Sequence, residues 1–322
     1  MSANDQLRLV PTGEPPVRGG RLIINTSTGY GPPPRSLIEI SHRLRPRDYT
    51  IAALLDEHTT LTTEQLAAIL FHHPTTCRHR LHELRKLAFI DRFIRNQPGA
   101  ANATCWTPGL LSARWAALTT GGSPPTARMV RVRQDRVYSS PTLAHQLATN
   151  QFFVDLLTHA RTHPNTALLR WWSEHTTTAA FARFIQPDGH GVWRAGDRTV
   201  GFHLELDRGT ESLRRLVDRL ATHLQLQAEG GPQYPVLFVL PSRAREQNLH
   251  RRLADAAEPT LTVATTCPEA GPNPAEAVWR LAGNGRHRLP LAELPSRHGQ
   301  PGTRNPGPPT ANDDPLRPHP HR

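Results

Sequence analysis

"QPDGHGVWRAGDRTVGFHLELDRGTE", residues 186–211, decides the fold. Within it Phe202, Leu204 and Leu206 alternate with His203, Glu205 and Asp207, a period of two that predicts a strand with an apolar face and a polar one. The turn residues of "PDG" and of Gly196-Asp197 bound a short strand at "VWRA" before it. Thr210 then predicts the start of a helix running through "ESLRRLVDRLATHLQLQ". Beyond it "PVLFVLP" (235–241) is almost wholly apolar, as in a strand covered on both faces. "REQNLHRRLADA" reads as a further helix and "LTVATT" as a last strand. Upstream, "TLAHQLATNQFFVDLLTHAR" (142–161) predicts an amphipathic helix leading into "LLRWWSEH", with a strand around "FARFI" (181–185). The order αβββαβαβ implies an α/β sandwich over about residues 129–292.

On the polar face of the 200–207 strand, His203, Glu205 and Asp207 fall in a row, and Asp188 leaves the preceding turn toward them. Neighbouring carboxylates repel unless a proton, water or a cation intervenes. Asp188, Glu205 and Asp207 are three hard oxygen donors suited to Mg²⁺ or Mn²⁺. The alternative is structural: acids on a rim strand would pair with Arg208, Arg214 or Arg215. Trp171 and Trp172 read as packing residues rather than a surface for stacking bases.

The N-terminal third follows a different plan. "RPRDYTIAALLDEH" has apolar residues at Ile51, Leu54 and Leu55, a helical spacing. Thr62 and Gln65 form a T-x-x-Q capping box for "EQLAAILF", and a third helix, "CRHRLHELRKLAF", is capped by Thr75 or Thr76. Its Cys77, Leu81, Leu84 and Ala88 make one buried stripe, with Arg78, His79, His82, Arg85 and Lys86 opposite. "IDRFIR" and "TCWTP" then predict a hairpin around the tip "NQPGAAN" (96–102). Three helices and a hairpin make a winged-helix domain over 43–118. Thr76, Arg78, His79, His82, Arg85, Lys86, Arg92 and Arg95 are the expected contacts to double-stranded DNA. A winged helix that docks protein has the same pattern.

Composition agrees with two domains: 322 residues at 37% hydrophobic content can bury two modest cores. A net charge of +11 points to a polyanionic partner, although Lys86 is the single lysine and such an arginine bias also follows from a GC-rich genome. Cys77, Cys105 and Cys267 lack metal or disulfide spacing, which with the absence of a spanning or secretory segment predicts a cytoplasmic protein that does not meet a membrane. "TTGGSPPTAR" (119–128) reads as a linker, residues 1–42 as a disordered leader, and 293–322 as a disordered Pro-rich tail.

Asp188 in "PDG", then Glu205-Leu206-Asp207, then "GTE" opening a helix, resembles the core of PD-(D/E)XK nucleases. The wider order of blocks is similar to the replication-relaxation family, over about residues 43–290. It comprises "LTTEQLAAILF", "RLHELRKLAFIDRF", "HQLATNQFFVDLL", "LLRWWSEH", "PDGHGVWR", "HLELDRGTESL" and "PVLFVLP". That resemblance implies a DNA-associated protein acting in replication, transfer or regulation of plasmids or mobile elements, as a homodimer or with replication and transfer proteins. The nuclease pattern has a lysine where this chain has Asp207. In a variant of that pattern the basic group comes from the next helix, and "DRLATH" puts Arg219 in the lysine position and His223 in the tyrosine position. Arginine stabilises charge but does not serve as a base, so the expected nuclease-like domain is degenerate. The alternative is an active Mg²⁺-dependent endonuclease using Asp188, Glu205 and Asp207, with Arg219 for the lysine and Glu174 as a further acid.

Other chemistries find little support. A relaxase needs a tyrosine nucleophile beside a histidine cluster, and Tyr30, Tyr49, Tyr138 and Tyr234 are not so placed in the sequence. There is no G-x-S-x-G elbow and no P-loop.

Overall fold

A computed structural model describes residues 36–95, 102–255, 261–283, 285 and 287–317. The leader up to residue 35, the hairpin tip at 96–101 and the last five residues lie outside the described residues. The class is mixed α/β, as the sequence implies, with two sheets among the described residues.

The N-terminal part begins with α1 (Leu37–Ile40), α2 (Pro46–His58), the two-residue β1 (Leu61–Thr62), α3 (Thr63–Leu70) and α4 (Pro74–Lys86). The hairpin β2 (Ile90–Arg95) and β3 (Ala103–Pro108) follows, and β1 joins it in the order β1-β3-β2. The capping box forms as the sequence implies: Gln65 N–H donates to Thr62 Oγ1 at 3.2 Å, and Thr62 N–H to Gln65 Oε1 at 3.0 Å. The start of α4 differs from expectation, because Pro74 with its fixed φ occupies the first turn after His73 and carries Thr76 inside the helix. Helix α1 also shortens the expected leader, since Ile40 is buried in the core.

Helices α5 (Leu110–Thr119) and α6 (Ala127–Tyr138) lead to α7 (Leu143–Thr162), β4 (Thr166–Ser173) and α8 (Glu174–Ala180). Then come β5 (Gly189–Ala195), β6 (Arg198–Leu206), α9 (Leu213–Ala228), β7 (Val236–Val239), α10 (Arg243–Asp255) and β8 (Val263–Thr266). The short β9 (Trp279–Leu281) and β10 (Arg288–Leu289) complete a seven-stranded sheet, ordered β10-β9-β8-β7-β6-β5-β4. The first strand lies upstream of where the sequence suggests. "TALLRWWS" is β4, paired antiparallel with β5, whereas 181–185 is a turn. Helix α9 is capped by Ser212 rather than Thr210.

β6 is not a rim strand: it pairs antiparallel with β5 and parallel with β7. Both its faces are consequently buried. Phe202 and Leu204 meet α7, where Phe202 lies 5.9 Å from Phe152 and 6.0 Å from Phe153 between ring centroids. Gly191 opposite Phe202 makes that approach feasible, because a Cβ there would come within 2.4 Å of the Phe202 ring. On the second face His203 stands among Phe181, His190, His223 and Tyr234. The row of polar side chains is therefore largely interior, not solvated.

The two segments on either side of 119–128 share one apolar core, running from Ile51, Leu55 and Leu66 to Phe153, Trp171, Phe202 and Trp279. Polar contacts cross as well. Asn150 Nδ2 donates to the Thr60 carbonyl at 3.0 Å, Gln65 Nε2 to the Leu147 carbonyl at 2.9 Å, and Ser173 N–H to Glu57 Oε1 at 2.8 Å.

The C-terminal tail is the largest departure from expectation. Residues 293–317 lie against the second sheet face: Ser296 Oγ donates to the Gly201 carbonyl at 2.9 Å, and Arg297 and Gln233 exchange backbone hydrogen bonds. Arg170, buried in β4, donates to the Gly307 and Pro308 carbonyls and pairs with Asp313 at 3.1 Å. Proline-rich composition misled here because the segment is held by a few specific polar anchors rather than by apolar area.

Candidate functional site

The carboxyl ends of β6 and β4 open onto a cleft of about 990 Å³, walled on the far side by the end of α2 and the first half of α7. Asp188, Glu205, Asp207, Glu211 and Arg219 all line it, with His145 and Glu174. The acids predicted from the sequence do share one cavity. Their partners, however, separate them.

Asp188 accepts from the Leu206 N–H at 2.7 Å through Oδ2, and its Oδ1 lies 2.8 Å from Nε2 of His145. That hydrogen bond holds the His145 imidazolium above its ordinary range, against the effect of burial. Glu205 is buried, and its Oε2 accepts from Arg219 Nη1 at 2.8 Å. Burial, with the Asp188 charge added, pushes its carboxyl up to about 8 despite the pull of Arg219. The second arm of Arg219 reaches Glu211. Burial works against the guanidinium charge, and Glu205 and Glu211 more than offset it, so its pKa is raised. Asp207 is gripped by Arg245 of α10, whose Nη2 lies 3.1 Å from Oδ1, and accepts from the Gly209 N–H at 2.8 Å. Exposed Glu174 is pushed upward by partial desolvation and by Asp188.

The local folding explains this arrangement. Glu205 is the last fully buried residue of β6, and α9 runs back over the strand so that Arg219, two turns in, comes level with it. The parallel β6–β7 crossover carries the chain to α10, which starts beside the end of β6 and delivers Arg245. Arg208, Arg214 and Arg215, the sequence-based candidates to pair with the acids, do not do so. Arg214 instead faces Asp218 on its own helix. His223, the tyrosine-position residue, is buried beside His203 and not in the cleft lining.

The donor set does not fit the expected divalent ion. Each acid of the triplet already has a basic partner, His145 for Asp188 and an arginine for Glu205 and for Asp207, and among the described residues no group of three or more His, Cys, Asp or Glu side chains is placed to hold a metal. Sequence reasoning missed His145, Glu211 and Arg245. His145 carried a weak signal, a polar residue inside "AHQLATNQFF", but its pairing with Asp188 depends on how α7 crosses the sheet.

The second candidate surface is α4. Cys77, Leu81 and Leu84 are buried, while Thr76, Arg78, His79, His82 and Lys86 are exposed on the other side. Half-buried Arg92 on β2 lies over the Trp106 ring at 5.9 Å, and His82 meets the same ring edge-on. Arg85 is paired with Asp91 at 3.2 Å and Lys86 with Glu83 at 2.8 Å. His82 reports the local field: burial first, then Arg92, Arg85, Lys86 and His79, holds its pKa below the ordinary value. Ala88 is not part of the buried stripe, as the helix ends at Lys86 and Ala88 adopts a positive φ of 55°. Arg80, which alternates with these residues in sequence, is structural: it binds the buried Asp48 and the Arg43 carbonyl. Arg95, at the end of β2, is half-buried.

Among the described residues no helix is long and apolar enough to cross a membrane. The sequence model of the replication-relaxation family matches residues 53–237, more than half of the chain. No curated protein matches it.

Proposed function

The chain belongs to the replication-relaxation family, and on that premise we propose that it is a DNA-binding protein serving replication or transfer of plasmids or mobile elements. The N-terminal helices and hairpin act as a winged helix, with α4 entering the major groove and β2 lying beside the backbone. The observation that carries this reading is the division of α4 into a buried apolar stripe and an exposed face bearing Arg78, His79, His82 and Lys86, extended by Arg92. Arg78 and Arg92 are the cations of this face without an ion-pair partner among the described residues, and such groups bind phosphate and displace counterions, whatever the base sequence. The sheet part, fused to that unit through a common core, is a nuclease-like domain kept for holding and assembly.

The test is duplex binding by the full chain across a salt series. Alanine at Arg78 and Arg92 is expected to weaken binding and lower the salt slope by about one for each phosphate contact removed. Arg85→Ala is expected to do less, since Asp91 already neutralises that side chain. Unchanged affinity and slope in the Arg78, Arg92 variant would overturn the assignment of α4.

A second reading, an active endonuclease, draws on the convergence of Asp188, Glu205 and Asp207 in one cleft. Incubation with supercoiled, linear and single-stranded DNA in Mg²⁺, Mn²⁺ or EDTA separates the two. Retained binding without cutting supports the degenerate domain; metal-dependent cutting abolished by Asp188→Ala with Glu205→Ala supports the enzyme.

A further inference from the structure

Helix α6 presents an arginine face that nothing in the fold uses. Its buried side is narrow: Val130 and Gln134 are covered, Gln134 Nε2 donates to the Pro108 carbonyl at 2.9 Å, and Tyr138 meets Phe93 edge-on at 5.6 Å. The rest of the helix is turned outward. At 100° per residue, Arg131, Arg128 and Arg136 follow one another over one continuous exposed arc, with Asp135 between the first two and Val132 between the last two; Met129 and Arg133 continue the arc beyond Arg136. Among the described residues Arg128, Arg131 and Arg136 form no ion pair, and Asp135 is the one acid on the helix. Several arginines of the sheet part are by contrast neutralised: Arg219 by Glu205 and Glu211, Arg245 by Asp207, Arg288 by Glu246.

We infer that the exposed face of α6 is a second contact for the phosphate backbone of DNA, separate from α4. The hairpin places them apart. Trp106 and Arg92 lie on the hairpin face toward α4, whereas Phe93 and Cys105 lie on the opposite face, against Tyr138 of α6 and Leu147 of α7. From Arg128 to Arg136 the helix rises about 12 Å, which matches about three phosphates of one strand. A protein partner fits less well. Met129, 49% exposed, and Val132, 40% exposed, are interleaved with arginines rather than gathered into the contiguous apolar patch that marks a protein-docking site.

This inference rests on the DNA-binding reading, and the experiment keeps the two apart. Fluorescence anisotropy with a labelled duplex is measured over a salt series for the full chain, for Arg128→Ala, Arg131→Ala, Arg136→Ala combined, and for Arg78→Ala with Arg92→Ala. The α6 triple variant is expected to lose about tenfold in affinity at low salt, with its salt slope lower by about two to three. The corresponding triple lysine variant keeps the charge and is expected to bind within about twofold of wild type. Wild-type affinity and slope in the alanine triple, with binding weakened in the α4 variant, would overturn the α6 contact and leave the α4 reading standing. A lysine triple as weak as the alanine triple would also overturn it, since charge would not be what the face supplies. So would an alanine triple that binds duplex as wild type does but, in a parallel sedimentation assay, loses binding to vesicles of anionic phospholipid. Failure of the wild-type chain to bind duplex DNA at all would sink both readings together.

Discussion

Arg219 donates from Nη1 to Glu205 Oε2 at 2.8 Å while its other arm holds Glu211, so one guanidinium occupies carboxylates that a divalent ion would need. The wild-type Tm is therefore expected to be the same in Mg²⁺, Mn²⁺ and EDTA. Arg219→Ala leaves Glu205 and Asp188 facing each other without that cation. Mn²⁺ is then expected to raise the variant's Tm by a few degrees, by binding the folded state alone. Calorimetry or dye-monitored melting reads both. A Tm rise in the wild-type chain that vanishes in Glu205→Gln would mean that the guanidinium does not exclude the metal.

His145 and Asp188 make a stability contribution with a defined direction in pH. The hydrogen bond that His145 donates to Asp188 raises the folded pKa of His145 above the unfolded value of about 6.5. The contribution is therefore full below about pH 6.5 and is lost as pH rises through the folded value. The difference in unfolding free energy between wild type and His145→Gln is expected to be about 1 kcal/mol at mildly acidic pH and smaller at alkaline pH. Urea titrations at the two pH values measure it. A difference independent of pH would show that His145 acts by packing alone.

The opposite sign holds for His203. Burial, with His223 and His190 nearby, holds its pKa well below the usual value, and burial also lowers His190 to about 3 and His223 to about 4. Neither ring nitrogen of His203 has a protein partner. Below about pH 6.5 the unfolded chain takes up protons that these folded imidazoles refuse, so stability falls as the medium is acidified. His203→Leu is expected to be at least as stable as wild type near pH 7, because it removes two unpaired buried polar atoms. It should also unfold at a lower pH in an acid titration followed by circular dichroism, having lost a slope of up to about 1.4 kcal/mol per pH unit. An unchanged acid midpoint would mean that His203 takes no part in the acid transition.

Much of the site was legible because it depends on local rules. The alternation of residues 200–206 marks β6, and the Thr62–Gln65 box marks the start of α3. The convergence of Asp188, Glu205 and Asp207 follows from a turn and a strand that are neighbours in sequence. Their neutralisation was not legible, because Arg245 reaches Asp207 only through a parallel crossover and His145 reaches Asp188 across the sheet. β4 was obscured by Arg170, whose place in "LLRWWS" argues against a buried strand until the tail supplies its acceptors. The tail itself is poor in apolar area, so composition cannot register anchors such as Ser296, Asn305 and Asp313.

Arg170 makes the tail a structural element with a measurable weight. Its side chain is 2% exposed, and the Asp313 carboxylate beside it is 7% exposed. Its remaining donors are satisfied in part by the Gly307 carbonyl at 3.1 Å and the Pro308 carbonyl at 3.2 Å. Removing one partner of such a pair leaves an uncompensated charge in the interior. Asp313→Ala is accordingly expected to cost about 3 kcal/mol, whereas Arg170→Met combined with Asp313→Leu should recover much of it, since neither charge then remains. Chemical denaturation of the three proteins gives the free energies, and limited proteolysis gives a second view. The 297–317 segment should resist cleavage in wild type and be cut early in Asp313→Ala. If Asp313→Ala costs less than about 1 kcal/mol, water reaches Arg170 once the tail loosens, and the tail adheres to the sheet without holding it together.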